Sequence, residues 1–201
     1  MIARRFLAAA ALAALLAASG CDKLLSPPKS PFHGVDVTGL DAGGELRLTD
    51  FDGKARTLAD FRGKVVAVIF GYTQCPDVCP TTLHDYAEAM KKLGTEASQV
   101  QVLFVTVDPK RDTAELLREY VPAFDARFLG LRGDAAATER VTKDFHVYAE
   151  VRPGPTPDSY TVDHTSQVFI FDRGGRLRLM MPAGTPSADI ASDLRVLLDN
   201  S

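Results

Sequence analysis

The chain is poor in cysteine, with three in 201 residues, and it carries no excess of basic charge. Lys and Arg number 23 against 26 Asp and Glu, and setting aside Arg4 and Arg5 brings the net charge to about −5. With no basic stripe along any segment, nucleic acid is not an expected partner. Also missing is an apolar run long enough to cross a membrane as a helix, which takes ~20 residues. The longest, Phe6 to Ala18, stops at thirteen. That length, behind Arg4 and Arg5, fits the hydrophobic region of an export signal.

The residues just after the apolar run carry a specific pattern. Ala18, Ser19, Gly20 and Cys21 are similar to the lipobox of a bacterial lipoprotein, with Ala18 where leucine is usual. The similarity implies a lipid on Cys21 and residues 1–21 as a lipoprotein-type signal. A plain cleaved signal with a stray cysteine and an uncleaved anchor are the alternatives. Residues 22–34, "DKLLSPPKSPFHG", are proline-rich and read as a solvated tether. Residues 35–201 are then long enough for one domain with a core of its own. If Cys21 is lipidated, only Cys75 and Cys79 remain. On the periplasmic side of a membrane, an oxidising setting, such a pair is a disulfide, a redox couple or a soft-metal site.

The periodicity predicts an α/β domain. "ELRLTD" (Glu45 to Asp50) alternates like a half-buried strand, and "KVVAVIFGY" (Lys64 to Tyr72) and "VQVLFVTVD" (Val100 to Asp108) read as central strands buried on both faces. "PTTLHDYAEAMKKLG" (Pro80 to Gly94) reads as a helix with proline in its first turn and lysines in its last. Helices are also expected over 111–121 with Asp112 as N-cap, over 134–145, and over 185–199 with Thr185 as cap and Pro186 at the first position. "SQVFIFD", "RGG" and "RLRLMM" read as a hairpin. Helical crossovers make the early strands parallel and the hairpin adds an antiparallel pair. This is a thioredoxin-like plan: a central mixed sheet flanked by helices. It carries an extra loop-rich stretch, Val147 to Thr165, partly a hairpin, before a histidine-bearing turn.

The chemistry centres on "GYTQCPDVCPTTL", Gly71 to Leu83. Thioredoxins separate their cysteines by two residues; here three intervene. Cys75 and Cys79 end a buried strand and start a helix, where free amides and the helix dipole favour thiolates. At i,i+4 both sulfurs would lie on one side of a helical turn, close enough for a disulfide or for one soft ion. Two thiolates suit Cu(I), and an imidazole added to them would retain Cu(II). His164 is the candidate imidazole. It stands in "VDHT", where a thioredoxin has a proline, and in such a sheet that turn faces the cysteine loop. Asp77 reads equally well as a turn residue and as a ligand. His84 reads as a surface residue, His33 and His146 as structural or solvent-facing, and Met180 and Met181 as core and edge. "VDPKRDT" (Val107 to Thr113) reads only as the loop that ends its strand.

Taken together, "GYTQCPDVCPTTL", "VTVDPKRDT", "YTVDHTSQVFIFD" and "HGVDVTGLDAGGELRLTDFDGK" resemble the Sco/SenC family of copper proteins across the whole exported part. The resemblance implies copper, Cu(I) or Cu(II), on Cys75, Cys79 and His164, with a weak axial role for Asp77. It implies a metallochaperone, tethered at the periplasmic side of the bacterial inner membrane. Its partner would be cytochrome c oxidase subunit II, together with another periplasmic copper chaperone or a thioredoxin-like reductant. Two other readings stay open: a thiol-disulfide oxidoreductase using Cys75 and Cys79 as its redox pair, and a copper or redox sensor.

Overall fold

The computed structural model describes residues 30–40, 44–156 and 159–200; the expected signal, Cys21 and most of the tether lie outside them. The compact unit runs from Pro31. Its strands are β1 (Val35–Asp36), β2 (Leu48–Asp50), β3 (Ala55–Arg56), β4 (Val65–Gly71), β5 (Val100–Thr106), β6 (Leu129–Arg132), β7 (Ala149–Pro153), β8 (Tyr160–His164), β9 (Val168–Phe171) and β10 (Leu177–Met181). The helices are α1 (Val78–Leu93), α2 (Ala114–Tyr120), α3 (Ala135–Asp144) and α4 (Ser187–Asp199). Eight strands form one sheet in the order β1-β10-β9-β4-β5-β6-β2-β3, and β7 pairs with β8 in a separate ribbon.

Period-two alternation along β4 builds both faces of the core. Val65, Ala67 and Ile69 join Leu83, Tyr86 and Met90 of α1 and Leu194 and Leu197 of α4. Val66, Val68 and Phe70 join Leu103, Phe145 and Phe169 on the other side. Every residue of β4 is buried, as a central strand covered on both faces must be. Strands β4, β5 and β6 run parallel through the crossovers α1 and α2, while β9 and β10 run antiparallel to their neighbours. This is the thioredoxin-like architecture expected from the element order.

Details differ from the sequence reading for identifiable reasons. The N-cap of α2 is Thr113, whose hydroxyl accepts from Leu116 N, because Asp112 is turned inward and fully buried. Pro186 is the cap residue of α4, and Thr185 instead donates to the Pro182 carbonyl. Helix α1 starts at Val78, before Pro80, so Cys79 is its second residue. The sequence carries no clear signal for β6. The end of the expected tether is docked: Asp193, fully buried in α4, accepts from the backbone of His33 and Gly34 and faces His33 Nδ1 at 2.9 Å.

Candidate metal centre

Strand β4 delivers the chain to a short loop, Tyr72 to Asp77, from which α1 departs. Cys75 lies in this loop, its N–H donating to the Tyr72 carbonyl at 3.2 Å, so the two cysteines do not share a helical turn. Their sulfurs nevertheless lie within 4.8 Å of each other. Cys79 is 2% exposed, whereas Cys75 is half-buried and packs against both core clusters. Both are free thiols. Burial pushes the Cys79 thiol well above its ordinary range, outweighing the Tyr72 backbone N–H that faces it; Cys75 and Asp112 add to the rise. The helix N-terminus, expected to favour the thiolate, loses to desolvation at this position.

His164 comes from β8 and ends that strand rather than occupying a turn. Tyr160, Val162 and His164 point to one face, toward the body of the protein, while Thr161 and Asp163 point outward. His164 Nδ1 lies 2.9 Å from the Thr165 carbonyl, and a carbonyl only accepts, so Nδ1 carries the proton. In the neutral ring Nε2 then presents its lone pair, and it faces Cys79 Sγ at 3.4 Å. The ring of Tyr72 meets the imidazole edge to face at 5.9 Å between centroids.

The donor atoms of Cys75, Cys79 and His164 all lie within 4.8 Å of one another, the only such group among the described residues. Metal–ligand bonds of about 2.0–2.3 Å place donors of one ion up to about 4 Å apart, so closure around an ion takes a contraction of about 1 Å or less. Two soft sulfurs and one imidazole match copper. Closed structural zinc sites take four protein donors, and here the fourth side is a cleft of about 440 Å³ lined by Tyr72, Pro76, Val78 and residues of β8.

A model of the family described as SCO1/SenC matches residues 37–199. The chain belongs to that family. Relatives agree with the assignment. The SCO2-like protein of Rickettsia prowazekii is 35% identical over 156 residues, 76% of this chain and 76% of the relative. The structure of Bradyrhizobium japonicum ScoI with copper bound superposes with a TM-score of 0.73 at 39% identity, over 78% of this chain and 99% of that one. A SCO1/SenC family lipoprotein from Bacillus anthracis gives 0.66 at 26% identity, over 79% and 96%.

Not every candidate in this SCO1/SenC chain reaches the centre. Asp77 lines the same cleft but is exposed, is the cap residue of α1, and contributes no atom to the three-donor group. His84 and His146 are exposed, and His33 is held by Asp193 on the far element α4. Met181 is fully buried in the core and Met180 packs on the opposite face. Asp108, Arg111 and Asp112, by contrast, bond to residues beside the site: Asp112 to Thr73, Asp108 and Arg111 to Tyr160. The motif "VDPKRDT" that holds them stood out in the sequence, but only as a loop.

Proposed function

We infer that this protein is a copper chaperone that holds its ion on Cys75, Cys79 and His164. The observation that carries this reading is the His164 Nε2 lone pair, set at 3.4 Å from Cys79 Sγ by the Nδ1–H bond to the Thr165 carbonyl. Loading exchanges thiol protons for the ion, so uptake releases protons. Cys75 meets the ion at the open cleft, Cys79 holds it against the core, and His164 closes the third side. Copper is the cargo. The proposed acceptor is the binuclear copper site of cytochrome c oxidase subunit II, at the periplasmic face of the membrane, with Cys21 as the lipid attachment. The lipoprotein among the solved relatives supports that anchor.

The unequal exposure of the two cysteines supports a second reading, in which the protein reduces the acceptor's cysteines. Cys75 thiolate attacks one sulfur of the acceptor disulfide, whose other sulfur leaves as a thiolate. Cys79 then attacks the Cys75 sulfur of the mixed disulfide, its proton passing to His164 Nε2 at 3.4 Å, and the second acceptor sulfur leaves as a thiolate. The protein is left with a Cys75–Cys79 disulfide, two electrons having moved to the acceptor, and a thioredoxin-like reductant resets it.

Complementation separates the two readings. In a strain lacking this protein, oxidase activity and subunit II copper should both fall. His164→Ala should fail to restore them if copper delivery is the function, and should restore them if thiol reduction suffices. Normal subunit II copper in the deletion strain would sink both. In the same strain, Cys21→Ala should release the protein from the membrane fraction, and an unmodified Cys21 in the intact mass of the mature protein would refute the anchor.

A further inference from the structure

The β7–β8 ribbon that carries His164 is outside the main sheet, and β7 is exposed along its whole length. Something must hold it at a fixed distance from the cysteine loop. Val162 contributes apolar contact, being 6% exposed. Polar attachment comes from the Tyr72 side chain, which meets the Val162 backbone directly, and from the loop after β5. Asp108 accepts from the Tyr160 hydroxyl at 2.9 Å and from Arg111 Nε. Arg111 stacks on the Tyr160 ring, 3.5 Å from its centroid, and donates to the Tyr160 carbonyl at 2.9 Å. The same guanidinium reaches the other half of the site, donating to Gln74 Oε1 at 3.1 Å and lying 5.4 Å from the Tyr72 ring centroid. Asp112, fully buried, accepts from Thr73 N and, at 2.6 Å, from Thr73 Oγ1, and takes a further bond from Thr106 Oγ1 at 2.5 Å.

We propose that Asp108, Arg111 and Asp112 form a positioning clamp: Asp112 fixes the cysteine loop through Thr73, while Arg111 and Asp108 fix Tyr160, so that His164 is set at coordinating distance from Cys79. The strand makes the coupling direct. Tyr160 and His164 are four residues apart on one face of β8, about 13 Å along the strand, and a one-residue slip would turn both away from the core. Arg111 also bridges the two halves itself, touching Tyr72 and Gln74 on one side and Tyr160 on the other. A planar, delocalised cation is suited to this place because it stacks and donates at once, which an ammonium does not. None of the three residues supplies a donor atom to the copper group; they act through the residues that do.

The inference rests on the copper reading, and its test keeps the two apart. Arg111→Lys retains the charge and loses the stack and the forked donation. Amide exchange in the apo protein should then speed up over residues 161–164 and not in β4 or β5. Cu(II) affinity should fall about 10–100-fold, the range seen when residues behind metal ligands are changed. The thiolate-to-Cu(II) absorption should shift, and Cu(I) affinity, resting on the two sulfurs, should hold. Tyr160→Phe keeps the ring and removes only the bond to Asp108, so it should show the same pattern more weakly, and it decides the matter if the lysine variant does not fold. Asp112→Asn acts on the cysteine loop and should weaken both valences. Unchanged exchange over 161–164 in both Arg111→Lys and Tyr160→Phe overturns the clamp, as does an equal loss of Cu(I) and Cu(II) with faster exchange throughout. A wild-type protein that binds no copper would defeat the copper reading alone; the exchange pattern would still decide the clamp.

Discussion

Cys75 and Cys79 are the same chemical group in two environments. One faces a cleft; the other is 2% exposed and held protonated by desolvation. Thiol reactivity follows thiolate fraction and access together. A limiting amount of iodoacetamide at mildly alkaline pH should therefore modify Cys75 first, and peptide mass mapping should find Cys79 untouched until the fold is lost. Equal labelling of the two in native protein would contradict the asymmetry. At this scale the sequence was informative about identity and uninformative about environment. The spacing and "VDHT" pointed to all three donors. Nothing local showed that Cys75 stays outside the helix while Cys79 enters it, because the start of α1 is packed against Gly71 at the end of β4.

Among the elements, β4 and α1 impose the tightest steric condition near the site. A Cβ on Gly71 would come within 2.8 Å of both Cys79 Sγ and the Phe104 ring, so the last residue of β4 must be glycine for α1 to start where it does. Gly71→Ala should destabilise the fold by about 1–3 kcal/mol through overpacking, read as a lower urea midpoint at unchanged slope. An unchanged midpoint would show that the helix start can shift freely. Long, β-branched runs made β4 and β5 legible, and the lysines and glycine at its end made α1 legible. Strand β6 was not, since four residues with Gly130 among them carry no usable period. The roles of Asp112 and Arg111 escaped for another reason. Asp112 has the composition and position of a helix cap, but it bonds to Thr73, 39 residues away, and Arg111 bonds to Tyr160, 49 residues away. Contacts of that span leave no trace in a local pattern.

For the molecule as a whole, the donors are unevenly distributed along the chain. Cys75 and Cys79 are neighbours in sequence, whereas His164 lies 85 residues beyond Cys79 and reaches it only through the assembled ribbon and its attachments. An unfolded chain therefore keeps a dithiol chelate and loses the imidazole. A ligand stabilises a protein only to the extent that it prefers the native state; an ion present at about 100 times its dissociation constant contributes about 2.7 kcal/mol when it binds the native state alone, and less when the unfolded chain competes. Cu(II), which needs the imidazole, should raise the calorimetric midpoint clearly. An equal excess of Cu(I), measured anaerobically, should raise it less than its affinity alone would require. Shifts that match the two affinities would show that the unfolded chain holds neither ion. The consequence is one of timing: a newly made chain is able to capture Cu(I) before its domain is assembled, and Cu(II) only afterwards.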